Sequence, residues 1–243
     1  MTGMYEDLRI ISHLLRGQRS DGDEAGALEA FYGPQADAYD RFRDRLLHGR
    51  SELVQRMPIP AGGSVVELGC GTGRNLDCLG QRVSGLGSAY LVDLCPSLLD
   101  RARNRFRGNG NVHVVEADAS TWGPPAAVDA VFCCYSLSMI RRRPEALANA
   151  LSMLKPGGVL GVVDFYVSEA QVPPGRVAHT PASRWFWRSW FAHDGVNVDN
   201  GLITALSGVT ECMLLEERSA PLPYLPFLRA PYFLYVGRVP AAV

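Results

Sequence analysis

A chain of 243 residues with 47% apolar and 20% charged residues holds enough core-forming side chains for one sizeable α/β domain, which excludes a mainly disordered protein. Its net charge of -1 lacks the basic excess of a phosphate-reading protein, so no nucleic-acid partner is expected. Cys70, Cys78, Cys95, Cys133, Cys134 and Cys212 form no Cys-x-x-Cys pair and lie mostly in apolar runs, so they read as reduced core residues and no metal site is expected.

Residues 1–58 read as an N-terminal helical cover. Glu6 and Asp7 precede the first short apolar stretch, the wrong order for a secretory signal, and no uncharged apolar run reaches the ~18 residues of a membrane span. The expected location is cytoplasmic, with membrane contact only at the surface. Leu8, Ile11, Leu14 and Leu15 recur at helical spacing, Ser20 to Gly26 is a Gly- and Asp-rich break, and Gln35 to Met57 is the main helix of the cover.

Pro58, Pro60, Gly62 and Gly63 end that helix, and residues 59–243 form the core of the same structural domain. Ser64 to Leu68 is a β-branched run of the kind buried in a parallel sheet. A helix from about Arg74, a strand at 89–93, a helix at 96–107, strands at 112–115 and 128–133, a helix at 144–154 and a strand at 158–163 follow. Such alternation predicts a doubly wound, mostly parallel Rossmann-like sheet with right-handed crossovers. Asp129 reads as a solvent-facing start to the fourth strand. The Pro-containing, then aromatic-rich region 165–195 reads as an insertion after strand five, over the active site. Final strands at 209–215 and 232–237, joined by the Pro-rich stretch Ala220 to Pro231, predict an antiparallel pairing.

The chemistry starts at the turn Glu67-Leu68-Gly69-Cys70-Gly71-Thr72-Gly73. In an open parallel sheet, ligands lie beyond the carboxyl ends of the strands, where a turn without side chains lets backbone N–H groups approach them. A dinucleotide-binding turn wants a small residue three places after Gly71, and bulky Arg74 stands there. Glu67 puts a carboxylate at the strand end, where it can organise the turn and meet a cation, whereas a pyrophosphate would be repelled. Asp93, twenty residues after Gly73, can accept hydrogen bonds from both hydroxyls of a ribose, and Asp118 can receive an adenine amino group. These features favour S-adenosyl-L-methionine as cofactor.

The order Glu-x-Gly-x-Gly-x-Gly, Asp93, Asp118, Val128-Asp129-Ala130-Val131-Phe132 and Leu154-Lys155-Pro156-Gly157-Gly158 resembles the class I S-adenosylmethionine-dependent methyltransferases over roughly residues 60 to 165. The resemblance implies a seven-stranded sheet with an antiparallel last strand. It carries cofactor contacts onto Gly69, Cys70, Gly71, Thr72, Gly73, Asp93, Leu94, Asp118 and Ala119, with Tyr39, Arg50, Glu67, Asn75 and Tyr135 completing the expected set. The flanks Tyr39-Asp40-Arg41-Phe42-Arg43, Leu46-Leu47-His48-Gly49-Arg50, Pro223-Tyr224-Leu225-Pro226 and Pro231-Tyr232-Phe233 resemble the betaine-lipid N-methyltransferases, which trimethylate diacylglyceryl-homoserine. The turn departs from that subfamily at Cys70 and Arg74.

That resemblance implies an amine acceptor, which must be neutral before each transfer. His48 and Tyr135 are the expected proton acceptors. Tyr32, Tyr39, Tyr135 and Tyr166 could cage a methylammonium by their ring quadrupoles, and Arg50 or the run Arg141-Arg142-Arg143 could hold a substrate carboxylate. In Arg184-Trp185-Phe186-Trp187-Arg188-Ser189-Trp190-Phe191 the spacing suits either a helix in a membrane interface or an aromatic lid on the protein's own core. The other readings are a soluble small-molecule O- or N-methyltransferase, a binding protein without catalysis, and transfer of the aminocarboxypropyl arm of the same cofactor.

Overall fold

The computed structural model describes residues 43–193, 196–198, 201–223 and 225–241, together with Gly26, Glu29 and Asp40. Seven strands, β1 (Ser64–Leu68), β2 (Ser88–Asp93), β3 (Val112–Glu116), β4 (Val128–Cys134), β5 (Leu154–Phe165), β6 (Glu211–Leu222) and β7 (Leu225–Arg238), form one sheet in the order β3-β2-β1-β4-β5-β7-β6. β1 to β5 pair in parallel, while β7 runs antiparallel to both β5 and β6. This is the mostly parallel sheet with an antiparallel last strand that the alternation predicts.

The centre of the sheet is covered on both faces. Val65 and Val66 of β1 enter opposite core clusters, as the two-residue period of a strand requires. After α1 (Arg50–Arg56) and the four-residue α2 (Arg74–Asp77), helices α3 (Pro96–Arg105) and α4 (Arg143–Ser152) carry proline at their first and second positions, where no N–H partner is needed. Asp129 is more than a solvent-facing strand start, because its Oδ2 accepts the Ser64 N–H at 2.8 Å and pairs with Lys155 at 2.8 Å, tying the lower ends of β1, β4 and β5 together. Cys70, Cys95, Cys133 and Cys134 are buried free thiols as expected, whereas Cys212 is exposed.

Two departures from the sequence reading have physical causes. Residues 43–46 are helical, but the helix expected to run unbroken to Met57 is interrupted before α1 at Gly49, whose φ of 82° is left-handed. A Cβ there would meet the Tyr232 ring at 3.0 Å and Leu234 at 3.2 Å, so the break is where the cover presses onto β7. Most of the Pro-rich stretch 220–231 is strand rather than linker, with β6 reaching Leu222 and β7 starting at Leu225: Ser219 pairs with Pro231 and Pro221 with Arg229. Pro221 is tolerated because β6 is an edge strand and the register shifts beside it.

Of the two readings open for the aromatic segment, the structure shows the packing on the core: the insertion contains α5 (Pro181–His193) and is followed by α6 (Leu202–Val209). Trp187 and Phe191 are buried, Phe165 lies 4.6 Å from Phe191 between ring centres, and Phe186 and Trp190 pack partly buried against the same cluster. Trp185, at 72% exposure, is the large hydrophobic side chain that α5 leaves in solvent. The aromatic face therefore closes over the protein's own core. Its approach is stapled to β6, since Arg176 donates to both oxygens of Glu217 at 2.7 and 3.0 Å. No helix among the described residues is long and apolar enough to cross a membrane.

Candidate cofactor cleft

The register of β1, β2 and β4 brings their carboxyl ends side by side, with Leu68 opposite Val92 and Glu67 opposite Phe132. Beyond them lies a cleft of about 660 Å³, including its open mouth, bordered by Arg43, Gly69, Gly71, Asp93, Leu94, Leu98, Asp118, Ala119, Tyr135, Ser136, Met139 and Ile140 among others. Among the described residues no group of side chains could hold a metal ion.

The floor is the glycine turn. Gly69 and Cys70 donate their N–H groups to the Val92 carbonyl at 2.8 and 3.0 Å, and Gly69, Gly71 and Gly73 all have positive φ. Gly69 and Gly71 border the cleft. Gly73 instead faces the core, where a Cβ would meet Phe106 at 2.8 Å. Cys70 and Thr72 are buried off the cleft: burial pushes the Cys70 thiol well above its ordinary value, and Thr72 donates its hydroxyl to Asp40 at 2.6 Å. Asp40 also pairs with Arg105, whose Nε donates to the Thr72 carbonyl, so the cover is strapped to the turn from behind.

Asp93 stands where the ribose reading puts it. Its Oδ2 accepts the Gly71 N–H at 2.7 Å and its Oδ1 the Cys95 N–H at 3.0 Å. Burial raises its carboxyl above the ordinary range, opposed by those two donors and by Arg43. A carboxylate has about four acceptor positions, so pinning the turn leaves capacity for a diol. Asp118 accepts the N–H and hydroxyl of Ser120 on one oxygen, both at 2.7 Å. Leu94 and Ala119 border the cleft as expected.

Glu67 does not reach the cleft. It is fully buried beneath the turn, Oε1 accepting the Asn75 amide at 2.6 Å and Oε2 having no partner among the described residues. Burial pushes its carboxyl up to about 8, so the group is largely neutral at pH 7 and is no ready-made anion for a bound cation. The sign of the linkage is testable. A folded-state value above the ordinary 4.5 makes stability fall as pH rises from about 4.5 to about 8 and level off beyond. Glu67→Gln is expected to flatten that part of the melting-temperature profile, and an unchanged slope would contradict the assignment.

Arg50 is likewise occupied. Its guanidinium donates to the Leu47 carbonyl (3.0 Å), Asn75 Oδ1 (3.0 Å) and Asp44 (2.7 Å), so Arg50 and Asn75 brace the cover against α2, and neither is among the residues bordering the cleft. The guanidinium bordering the cleft belongs to Arg43, 3.2 Å from where a Gly71 Cβ would lie. Arg141 and Arg142 are exposed, and Arg143 donates to the Asn197 carbonyl at 3.0 Å.

Tyr135 borders the cleft in an unusual backbone state. Its φ of 54° is the only positive one at a non-glycine among the described residues, a strain of roughly 1 kcal/mol or more. Its hydroxyl donates to the His48 carbonyl at 2.7 Å and its ring meets Phe165 edge-on at 4.6 Å. Burial drives the phenol well above its ordinary value, which keeps the proton on the hydroxyl that clasps the His48 carbonyl. His48 keeps a buried Nε2 without a partner among the described residues, with its ring 6.3 Å from that of Tyr232. Of the expected tyrosine cage, Tyr166 packs against His179 and Phe233 away from the cleft, while Tyr32 and Tyr39 lie outside the described residues.

The sequence reading missed Arg43 and the wall from Ser136 to Ile140. That wall follows β4, and the rule that ligands gather beyond the carboxyl ends of strands could have found it.

Residues 65–158 match a family model described as a methyltransferase domain. The solved N-methyltransferase NodS from Bradyrhizobium japonicum WM9, in complex with S-adenosyl-L-homocysteine, superposes with a TM-score of 0.58 and 17% identity, covering 79% of this chain and 86% of that one. The chain has the Rossmann-like methyltransferase fold. Trans-aconitate 2-methyltransferase of Acidovorax ebreus is 31% identical over 155 residues, 64% of this chain and 58% of that protein. The ubiquinone/menaquinone biosynthesis C-methyltransferase UbiE of Vibrio campbellii is 32% identical over 146 residues, 56% of each. The chain thus spans little more than half the length of these curated relatives.

Proposed function

We propose that this chain is an S-adenosylmethionine-dependent methyltransferase. The observation that carries the reading is Asp93, which borders the cleft while holding the glycine turn open through the Gly71 N–H. When bound, the cofactor supplies a methyl group already activated on a positive sulfur. Asp93 would hold the ribose and Asp118 the adenine amino group; the bare backbone of Gly69 and Gly71 would admit the ligand, and Arg43 would receive a carboxylate. Such chemistry asks the protein mainly to align the acceptor and exclude water.

For the acceptor, the likeness of the flanking stretches to betaine-lipid N-methyltransferases supports the amine of diacylglyceryl-homoserine, with His48 Nε2, which has no partner among the described residues, taking the proton that the ammonium gives up to become the neutral amine. The burial of Trp187 and Phe191 favours a second reading, a soluble small acid or amine, because it takes the main aromatic face of α5 away from any membrane. The name of one relative, trans-aconitate 2-methyltransferase, points the same way. The test is to incubate the protein with methyl-labelled S-adenosylmethionine and either a total lipid extract or a pool of soluble acids and amines. Label in the homoserine lipid supports the first acceptor and label confined to the soluble pool the second. No S-adenosylhomocysteine formed with either, from a protein that binds no cofactor in calorimetry, would overturn the methyltransferase reading.

A further inference from the structure

Asp164, near the end of β5, is fully buried and is not among the residues that border the cleft. Its surroundings are specific. Oδ2 accepts the Ser138 N–H at 2.9 Å, and Oδ1 accepts both the Ser138 hydroxyl at 2.6 Å and the Phe165 N–H at 2.8 Å. Ser138 is itself buried and does not border the cleft, but it lies in the chain between Ser136 and the pair Met139 and Ile140, which do; Ser136 anchors to the Leu68 carbonyl at 2.7 Å and its carbonyl accepts the Met139 and Ile140 N–H groups at 3.0 Å. The Ser138 carbonyl in turn accepts the Asn197 N–H at 2.7 Å, from the segment after α5. One serine is therefore held by β5 on one side and by the segment after α5 on the other.

A buried carboxylate is costly, and a purely structural joint could use a neutral group. This one has a reason to be ionised. Each oxygen faces a backbone N–H, so an asparagine in either flip would set its NH2 group against a donor.

We propose that Asp164 is a positioning residue for the cofactor cleft: by clasping Ser138 from the end of β5 it fixes the wall from Ser136 to Ile140 against which the nucleoside lies. This rests on the methyltransferase reading of the cleft. Charged and titratable neighbours are Arg143 at the start of α4, Tyr135 after β4 and Cys133 within it. Burial pushes the Asp164 carboxyl up to about 6, so the charged clasp is complete above that pH and weakens below it.

The test is calorimetric titration of S-adenosylhomocysteine from pH 5 to 8 into the full-length wild type, Asp164→Asn, Ser138→Ala and Ser138→Thr. Wild-type affinity is expected to be level above pH 7 and to fall below about 6. Asp164→Asn should bind about tenfold more weakly at pH 7.5 and lose the fall near pH 6, Ser138→Ala should be weakened about threefold, and Ser138→Thr should restore wild-type affinity. Should Asp164→Asn fail to fold, the serine pair carries the test alone. Wild-type binding with an unchanged profile in Asp164→Asn, or equal affinity in Ser138→Ala, overturns the proposal. Absence of binding by the wild type overturns instead the reading on which it rests.

Discussion

Gly69→Ala is expected to abolish cofactor binding and to lower the melting temperature by roughly 5–15 °C. Two costs add at this position. With φ at 73°, an L side chain is strained by about 1–2 kcal/mol. The new Cβ would also lie 2.3 Å from the Ser136 Cβ, an overlap that packed atoms cannot accept. Ser136 has no free direction to move in, because its hydroxyl is bonded to the Leu68 carbonyl and its own carbonyl closes the turn of the cleft wall. Relief must therefore push the wall outward or break those bonds, for a total of roughly 2–4 kcal/mol; at about 2–4 °C per kcal/mol for a chain of this size, the shift in melting temperature follows. Gly71 makes the useful contrast. A Cβ there meets the flexible end of Arg43 at 3.2 Å and Leu98 at 3.9 Å, so Gly71→Ala should lose affinity while melting within about 2 kcal/mol of the wild type. Calorimetric titration of S-adenosylhomocysteine and a thermal melt on both variants decide the matter, and wild-type affinity in Gly69→Ala would refute the turn as the cleft floor.

The sheet was legible because its evidence is local and repeated: β-branched runs such as Val65-Val66 and Val162-Val163 recur between helical stretches and glycine or proline turns. What was hidden depended on contacts distant in sequence. Gly49 lies inside an unbroken helical spacing from Leu46 to Val54, and only its collision with Tyr232 and Leu234 of β7 shows why the helix stops. That break decides the site. Arg43 and Arg50 are seven residues apart and would share a face of one continuous helix; with the helix interrupted, Arg43 borders the cleft and Arg50 is spent on Asn75 and Asp44. Helical spacing in 184–191 showed an aromatic face but not which way it turned, since burial against Phe165 is a tertiary fact. The acids at the ends of β2 and β3 were legible because a strand end fixes their place, whereas the Ser136–Ile140 wall carries no motif at all.

Asp93→Asn should weaken S-adenosylhomocysteine binding by about 10- to 100-fold, the range expected for losing one charge-assisted hydrogen bond worth ~1.5–3 kcal/mol. The asparagine is nearly isosteric, so the loss is one of polarity rather than shape. Both oxygens of Asp93 face backbone donors, Gly71 N–H and Cys95 N–H. One flip of the amide sets NH2 against the turn and the other sets it against the start of α3, and in both a buried donor loses its acceptor. The turn is then released on the side where the ligand must lie, and the acceptor positions left for a diol are reduced. Asp118→Asn separates this from a general effect of charge. There the two protein donors both come from Ser120 and converge on a single oxygen, which an asparagine carbonyl can replace without conflict. Asp118→Asn should accordingly cost about threefold or less from the protein side, with any further loss reporting the adenine contact. Equal and small effects at both positions would mean that Asp93 merely caps its strand, and the nucleoside reading of the cleft would go with it.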